Sequence, residues 1–123
     1  MSKVLIIAGY ASSLYNFRGP LIKELLKKHE VSTTAPFDSE EVSRNIESMG
    51  VKFYPNDFNR AGMNPMVDLK STKKLEEIIR TIAPEYVLAY TIKPVVFGLK
   101  AAHRAGVKKT FALITGLGSG FDN

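Results

Sequence analysis

The sequence predicts an α/β domain of three layers, with helices on both faces of a doubly wound parallel sheet of about five strands. Three observations predict it. Short segments rich in β-branched and aromatic residues alternate with segments whose apolar residues recur at helical spacing. The first strand-like segment is a continuous apolar run, Val4-Leu5-Ile6-Ile7-Ala8, without the polar alternation of a half-exposed strand, so it reads as a central strand covered on both faces. The helical segments are too short to be stable alone and need a sheet to cover. Right-handed crossovers then give the expected strand order 3-2-1-4-5.

Strands are expected over residues 3–9, 30–35, 51–54, 86–90 and 110–115, each bounded by Gly, Pro, Asp or Lys. The first helix opens at Pro20, where a missing N–H costs nothing, and carries Leu21, Ile22, Leu25 and Leu26 on one side against Lys23, Glu24, Lys27 and Lys28 on the other. Ser39 reads as the cap of a second helix, with Glu40 and Glu41 at its positive end, Val42, Ile46 and Met49 along its stripe, and Gly50 as its stop. Asp68 opens a third, whose apolar side is Leu69, Leu75, Ile78, Ile79 and Ile82, ended before Pro84. Pro94 opens a fourth with Val95, Val96, Leu99, Ala102 and Ala105 inward and Gly106 at its end. The irregular stretch 55–67 exceeds the usual loop length and is a candidate functional loop.

At 123 residues the chain reads as a single domain, without internal repeats, low-complexity stretches or an interdomain linker. It has no cysteine, which excludes disulfides, thiolate metal sites and cysteine nucleophiles. His29 and His103 are too few for a histidine-rich metal site. The apolar run after Met-Ser-Lys is too short for a signal peptide or a membrane span, so a cytoplasmic location is expected. Seventeen Lys+Arg against twelve Asp+Glu give a net charge of +5, which favours anionic partners. The basic residues are scattered along the chain and read as solvated helix faces; no nucleic-acid partner is expected.

In such a sheet, ligands bind at the carboxyl ends of the strands where strand order reverses, here between strands 1 and 4. The segments that matter are therefore 9–19, 90–93 and 115–123. The first lacks G-x-G-x-x-G, having only Gly9 before Gly19, and Thr33-Thr34-Ala35-Pro36 offers no ribose-binding acid at the end of strand 2. A nicotinamide-dinucleotide site is thereby disfavoured. The Walker pattern is absent, and Gly9-Tyr10 and Tyr54-Pro55 lack the acids of a response-regulator receiver. What remains is Gly9, which lets backbone approach a ligand, then Tyr10, Ser12, Ser13, Asn16 and Arg18. The serines, Asn16 and Arg18 are donors suited to sugar hydroxyls or phosphate; Asn16 and Arg18 equally serve to support the turn and the helix end.

Lys93 stands at a helix start, where backbone N–H groups attract anions, and its point charge suits phosphate better than a planar carboxylate; an exposed loop lysine is the alternative. His103 falls beside an apolar stripe and reads as half-buried and structural, while His29 ends the first helix. Arg60 and Asn64 lie in the long loop. Thr115-Gly116-Leu117-Gly118-Ser119-Gly120 sets glycines at alternate positions after strand 5, allowing backbone to pass close to a ligand or neighbouring domain. No Ser/His/Asp set, carboxylate pair or metal cluster occurs, and no cofactor is expected. The residues alone support a phosphate- or sugar-binding α/β domain. A stand-alone module completing a site with another polypeptide, or half of a sugar-nucleotide epimerase, has the same features.

Lys3-Val-Leu-Ile-Ile-Ala-Gly9, residues 12–20, Asn59-Arg60-Ala-Gly-Met-Asn64-Pro65, Ala89-Tyr-Thr-Ile-Lys-Pro94 and Thr115-Gly-Leu-Gly-Ser119 together resemble the N-terminal domain of family 4 glycosyltransferases. The nearest group is the bacterial enzymes that build lipid-linked oligosaccharides, O-antigen or capsule. The resemblance spans nearly the whole chain and implies the N-terminal, acceptor-side half of a GT-B enzyme: two Rossmann-like domains facing a cleft, of which the donor-binding C-terminal one is absent from residues 1–123. It implies a nucleotide-sugar donor, a lipid-linked sugar acceptor and peripheral attachment to an anionic membrane surface on the cytoplasmic side. By position, Gly9 and its loop, with Tyr10, Ser12 and Ser13, would approach the donor diphosphate, while Asn16, Arg18, Lys93 and the segment from Thr115 through Gly116 to Gly118 would line the acceptor side. Retaining transfer in the family resembles a front-face displacement that needs no protein nucleophile. The family's E-x7-E donor carboxylates fall beyond residue 123, so the fragment alone is expected to be inactive.

Overall fold

The computed structural model describes residues 2–58 and 65–114, with side chains in the second stretch from residue 69 onward. Among these, β1 (Ser2–Ile7), β2 (His29–Pro36), β3 (Lys52–Asn56), β4 (Tyr86–Tyr90) and β5 (Lys109–Leu113) form one sheet in the order β3-β2-β1-β4-β5. Every pairing is parallel, with Val4 opposite Val31 on one side and Tyr86 on the other. The expected order and the central place of the first strand are thus observed. The helices are α1 (Ser13–Asn16), α2 (Gly19–Leu26), α3 (Glu40–Glu47), α4 (Pro65–Ile82) and α5 (Leu99–Arg104), the last preceded by a π-helical turn at Pro94–Gly98.

The continuous apolar run of β1 divides by alternation. Val4, Ile6 and Ala8 join Leu14, Ile22, Val31 and Ile46 in the core beneath α1, α2 and α3. Leu5 and Ile7 join Leu75, Ile79, Val87, Ala101 and Ala102 in the core beneath α4 and α5. Each large side chain so buried contributes about 1.5–3 kcal/mol, which makes β1 the strand that both layers depend on. Thr33 and Thr34 of β2 are fully buried with their hydroxyls satisfied. Thr33 Oγ1 donates to the Lys52 carbonyl at 2.8 Å, and Thr34 Oγ1 accepts from Asn56 Nδ2 at 3.1 Å.

Local signals set most ends. Ser39 Oγ accepts from the Val42 amide at 3.1 Å, as a cap should, and Gly50 and Gly106 follow α3 and α5 with φ of 93° and 89°. Four features depart from the sequence reading. β3 runs through Pro55, which the sheet tolerates because β3 is an edge strand with no ladder bond required there. α4 begins at Pro65 rather than Asp68, using the proline where the first turn has no N–H partner. His29 is the first residue of β2, not the end of a helix, and its ring meets Tyr86 edge-on at 5.9 Å. His103 is exposed rather than half-buried, with Nε2 3.2 Å from Thr110 Oγ1.

Candidate functional site

The switch in strand order falls between β1 and β4, as expected, and two backbone features mark it. Thr91, immediately after β4, has φ of 67°, a left-handed conformation that a β-branched residue rarely adopts. Its carbonyl accepts from the Val95 amide at 3.0 Å, so the strained residue also starts the π-helical turn. Backbone strain and π-turns both concentrate where a fold holds a ligand. Gly9, immediately beyond β1, faces this point: a β-carbon there would stand 2.7 Å from Thr91 Oγ1 and 3.7 Å from Pro94 Cγ. On the far side of the π-turn, Phe97 stacks on Phe58 at 5.9 Å, tying the segment after β3 to the same end of the sheet.

The loop after β1 is fastened across the crevice. Ser13 is buried, and its hydroxyl lies 2.7 Å from Tyr90 Oη while donating to the Tyr10 carbonyl at 2.7 Å. Tyr90 ends β4 and is 2% exposed. Burial pushes its phenol above the ordinary value, against the opposing effects of the Ser13 hydrogen bond and the Arg18 charge. The neutral phenol is therefore the form that holds the loop. The Arg18 guanidinium sits over the Tyr90 ring, with Cζ 4.9 Å from its centre, and Arg18 Nε is buried with no hydrogen-bond partner among the described residues.

The expected site residues do not all fall in one place. Gly9, Ser13 and Arg18 gather at the crevice with Tyr90 and Thr91. Tyr10 is exposed and, with Ala11, Pro36, Phe37 and Asp38, lines an open hollow of about 280 Å³ between the loops after β1 and β2. Ser12 is half-buried, Asn16 is exposed at the end of α1, and Lys93 is half-buried just before the π-turn. Thr115, Gly116 and Gly118, like Arg60 and Asn64 of the long loop, lie outside the described residues. Sequence reasoning placed Tyr90 and Thr91 in a segment that matters without giving either a role, and it passed over Asp38. A hydroxyl-bearing ring at the end of an otherwise apolar strand was the available signal for Tyr90, and Asp38 is an acid shortly after β2; nothing in the sequence announces a left-handed threonine.

Among the described residues, no group of three His, Asp or Glu side chains is placed to hold a metal ion, and no helix is long and apolar enough to cross a membrane. The chemistry on offer is recognition: hydroxyls, one guanidinium and a close-approach glycine.

No known protein-family profile matches the chain. It is 35% identical over 109 residues, 88% of its length, to the N,N'-diacetylbacillosaminyl-diphospho-undecaprenol alpha-1,3-N-acetylgalactosaminyltransferase of Campylobacter jejuni, and it spans 28% of that relative. Among solved structures, MurG of Acinetobacter baumannii superposes with a TM-score of 0.67 at 18% identity, over 93% of this chain and 34% of that one. MnaA of S. aureus, solved with UDP, superposes with a TM-score of 0.64 at 22% identity, over 90% of this chain and 30% of that one. At such identities the structures establish the fold alone. By sequence the chain is a homologue of a bacterial lipid-linked-sugar glycosyltransferase, and by fold it is a Rossmann-like domain similar to one domain of MurG and of MnaA.

Proposed function

We propose that this chain is the N-terminal, acceptor-side domain of a bacterial glycosyltransferase that moves a hexosyl or N-acetylhexosaminyl group from a nucleotide sugar to a polyprenyl-diphosphate-linked sugar. The carrying observation is the 35% identity, over 88% of the chain, to a transferase whose acceptor is a diphospho-undecaprenol sugar. The 28% of that relative which the chain spans leaves room for a second, donor-binding domain. Transfer with retention by front-face displacement asks no nucleophile of this half. It asks for an acceptor held in place, and Arg18 beside the strand-order switch suits its diphosphate. The hollow lined by Tyr10 and Phe37, with the Asp38 carboxylate, offers adjoining space for the acceptor's sugar.

The same reading puts the protein on the inner face of the cell membrane, in lipopolysaccharide, capsule or related glycan synthesis. The adjacent helices α4 and α5 and the turn between β4 and α5 support it: Leu69, Ile92 and Val96 are exposed, with the exposed Lys70, Lys73 and Lys100 on the same elements. Apolar side chains flanked by lysines suit an anionic lipid surface. Calorimetry tests the central assignment. The chain should bind a short-chain polyprenyl-diphosphate sugar more tightly than a sugar nucleotide, and the reverse order would sink the acceptor-side reading.

A further inference from the structure

Both polar features of the buried Tyr90, its hydroxyl and its ring face, are engaged. Its hydroxyl meets Ser13 Oγ at 2.7 Å, and Ser13 in turn holds the Tyr10 carbonyl at 2.7 Å, so one side chain of β4 fixes the loop after β1. Its face carries the Arg18 guanidinium at 4.9 Å, while no carboxylate among the described residues pairs with that cation. An arginine held over an aromatic ring keeps its charge, loses much of its rotational freedom before a ligand arrives, and can still direct N–H groups of its fork at phosphate oxygens.

We propose that Tyr90 is a positioning residue for a diphosphate at this crevice: its ring holds Arg18 in the binding orientation, and its hydroxyl locks the loop that carries Arg18. The identity of the anion as a diphosphate rests on the acceptor-side reading; the Tyr90–Arg18 arrangement does not.

The test uses the 123-residue chain and inorganic pyrophosphate, with affinity measured by calorimetry and folding checked by circular dichroism. The wild-type chain should bind pyrophosphate, and Arg18→Ala should bind it at least tenfold more weakly. Tyr90→Leu, with Arg18 intact, should also weaken binding by roughly tenfold. Tyr90→Phe and Ser13→Ala should each weaken it about threefold, and the double variant no more than either single one, because they remove the same hydrogen bond. The Arg18 Nε–H proton resonance should be shifted by the ring in wild type and Tyr90→Phe and should move on pyrophosphate addition.

Wild-type affinity in a folded Tyr90→Leu variant would overturn the proposal, as would additive losses in the double variant or a wild-type chain that ignores pyrophosphate. If Tyr90→Leu does not fold, the Phe/Ala cycle and the Arg18 resonance decide. A chain that prefers sugar nucleotides yet shows Tyr90-dependent pyrophosphate binding would overturn the acceptor-side reading and sustain this one.

Discussion

A β-carbon on Gly9 would stand 2.7 Å from Thr91 Oγ1, closer than real β-carbons come to a neighbour. Positive φ among the described glycines belongs to Gly50 and Gly106, so Gly9 is required by space and not by backbone conformation. The sequence reading gave the missing side chain to an approaching phosphate. The structure gives the same position a second demand, the contact between the loop after β1 and the end of β4.

Gly9→Val should therefore destabilise the domain even without ligand. Overpacking of this kind costs about 1–3 kcal/mol, or roughly 4 °C in Tm for each kcal/mol in a domain of this size. Thr91→Gly should restore part of the loss, since it removes the clashing oxygen. A thermal melt of the single and double variants reads this directly. A Gly9→Val chain that melts with the wild type would mean that Thr91 moves aside freely, leaving phosphate approach as the remaining role for the glycine.

Thr91 itself is held at φ of 67° against its preference. Thr91→Gly alone releases about 1–2 kcal/mol of left-handed strain and gives back about 0.5–1 kcal/mol through the greater freedom of the unfolded chain. The expected net is a small stabilisation, visible as a rise in the urea midpoint. If Thr91 is strained for ligand binding, the stabilised variant should bind pyrophosphate less well than the wild type. A variant that is less stable would instead show that the threonine side chain holds more than it strains.

The sheet was legible because its signals are local. Val4 to Ala8 announce a doubly covered strand, and Ser39, Gly50 and Gly106 announce helix ends. β3 was cut short because proline ordinarily ends a strand, and only its place at the sheet edge makes Pro55 acceptable. α1 was missed because the four residues Ser13–Asn16 are too few to display a helical stripe. The crevice at the strand-order switch was legible as a region through the switch-point rule. Its wiring was not: Ser13 and Tyr90 are 77 positions apart, and no pattern within either segment requires them to meet.

Tyr90 gives the fold a pH dependence of known sign. Burial raises its pKa from the ordinary 10.0, so above that pH the unfolded chain releases the phenol proton before the folded one does. Its contribution is complete below pH 10 and is lost as pH rises through the folded value, at up to about 1.4 kcal/mol per pH unit. Tyr90→Phe removes this component. Urea midpoints measured from pH 8 to pH 11 should fall less steeply for Tyr90→Phe than for the wild type. Parallel curves would show that other groups, the lysines among them, account for the whole alkaline loss.

On the proposed acceptor-side reading, Arg18 should separate binding of the acceptor from binding of the donor. Its guanidinium lies over Tyr90 at the crevice and forms no ion pair among the described residues, which leaves its charge available to a phosphate. In a protein that carries this domain together with a donor-binding domain, Arg18→Ala should raise KM for a polyprenyl-diphosphate sugar roughly ten- to a hundredfold, from the loss of about 1.5–3 kcal/mol of charge-assisted contact. KM for the nucleotide sugar should move by no more than about twofold, because on that reading the donor-binding domain holds the nucleotide sugar and this half meets its diphosphate through the Gly9 loop rather than through Arg18. Arg18→Lys should recover only part of the acceptor affinity, since it restores the charge without the planar fork. Raising the ionic strength should weaken the acceptor in the wild type more than in Arg18→Ala. Steady-state kinetics with each substrate varied in turn reads all of these shifts. A change in donor KM with the acceptor unaffected would move Arg18 to the donor side, and unchanged kinetics in a stably folded variant would reduce it to support for the loop.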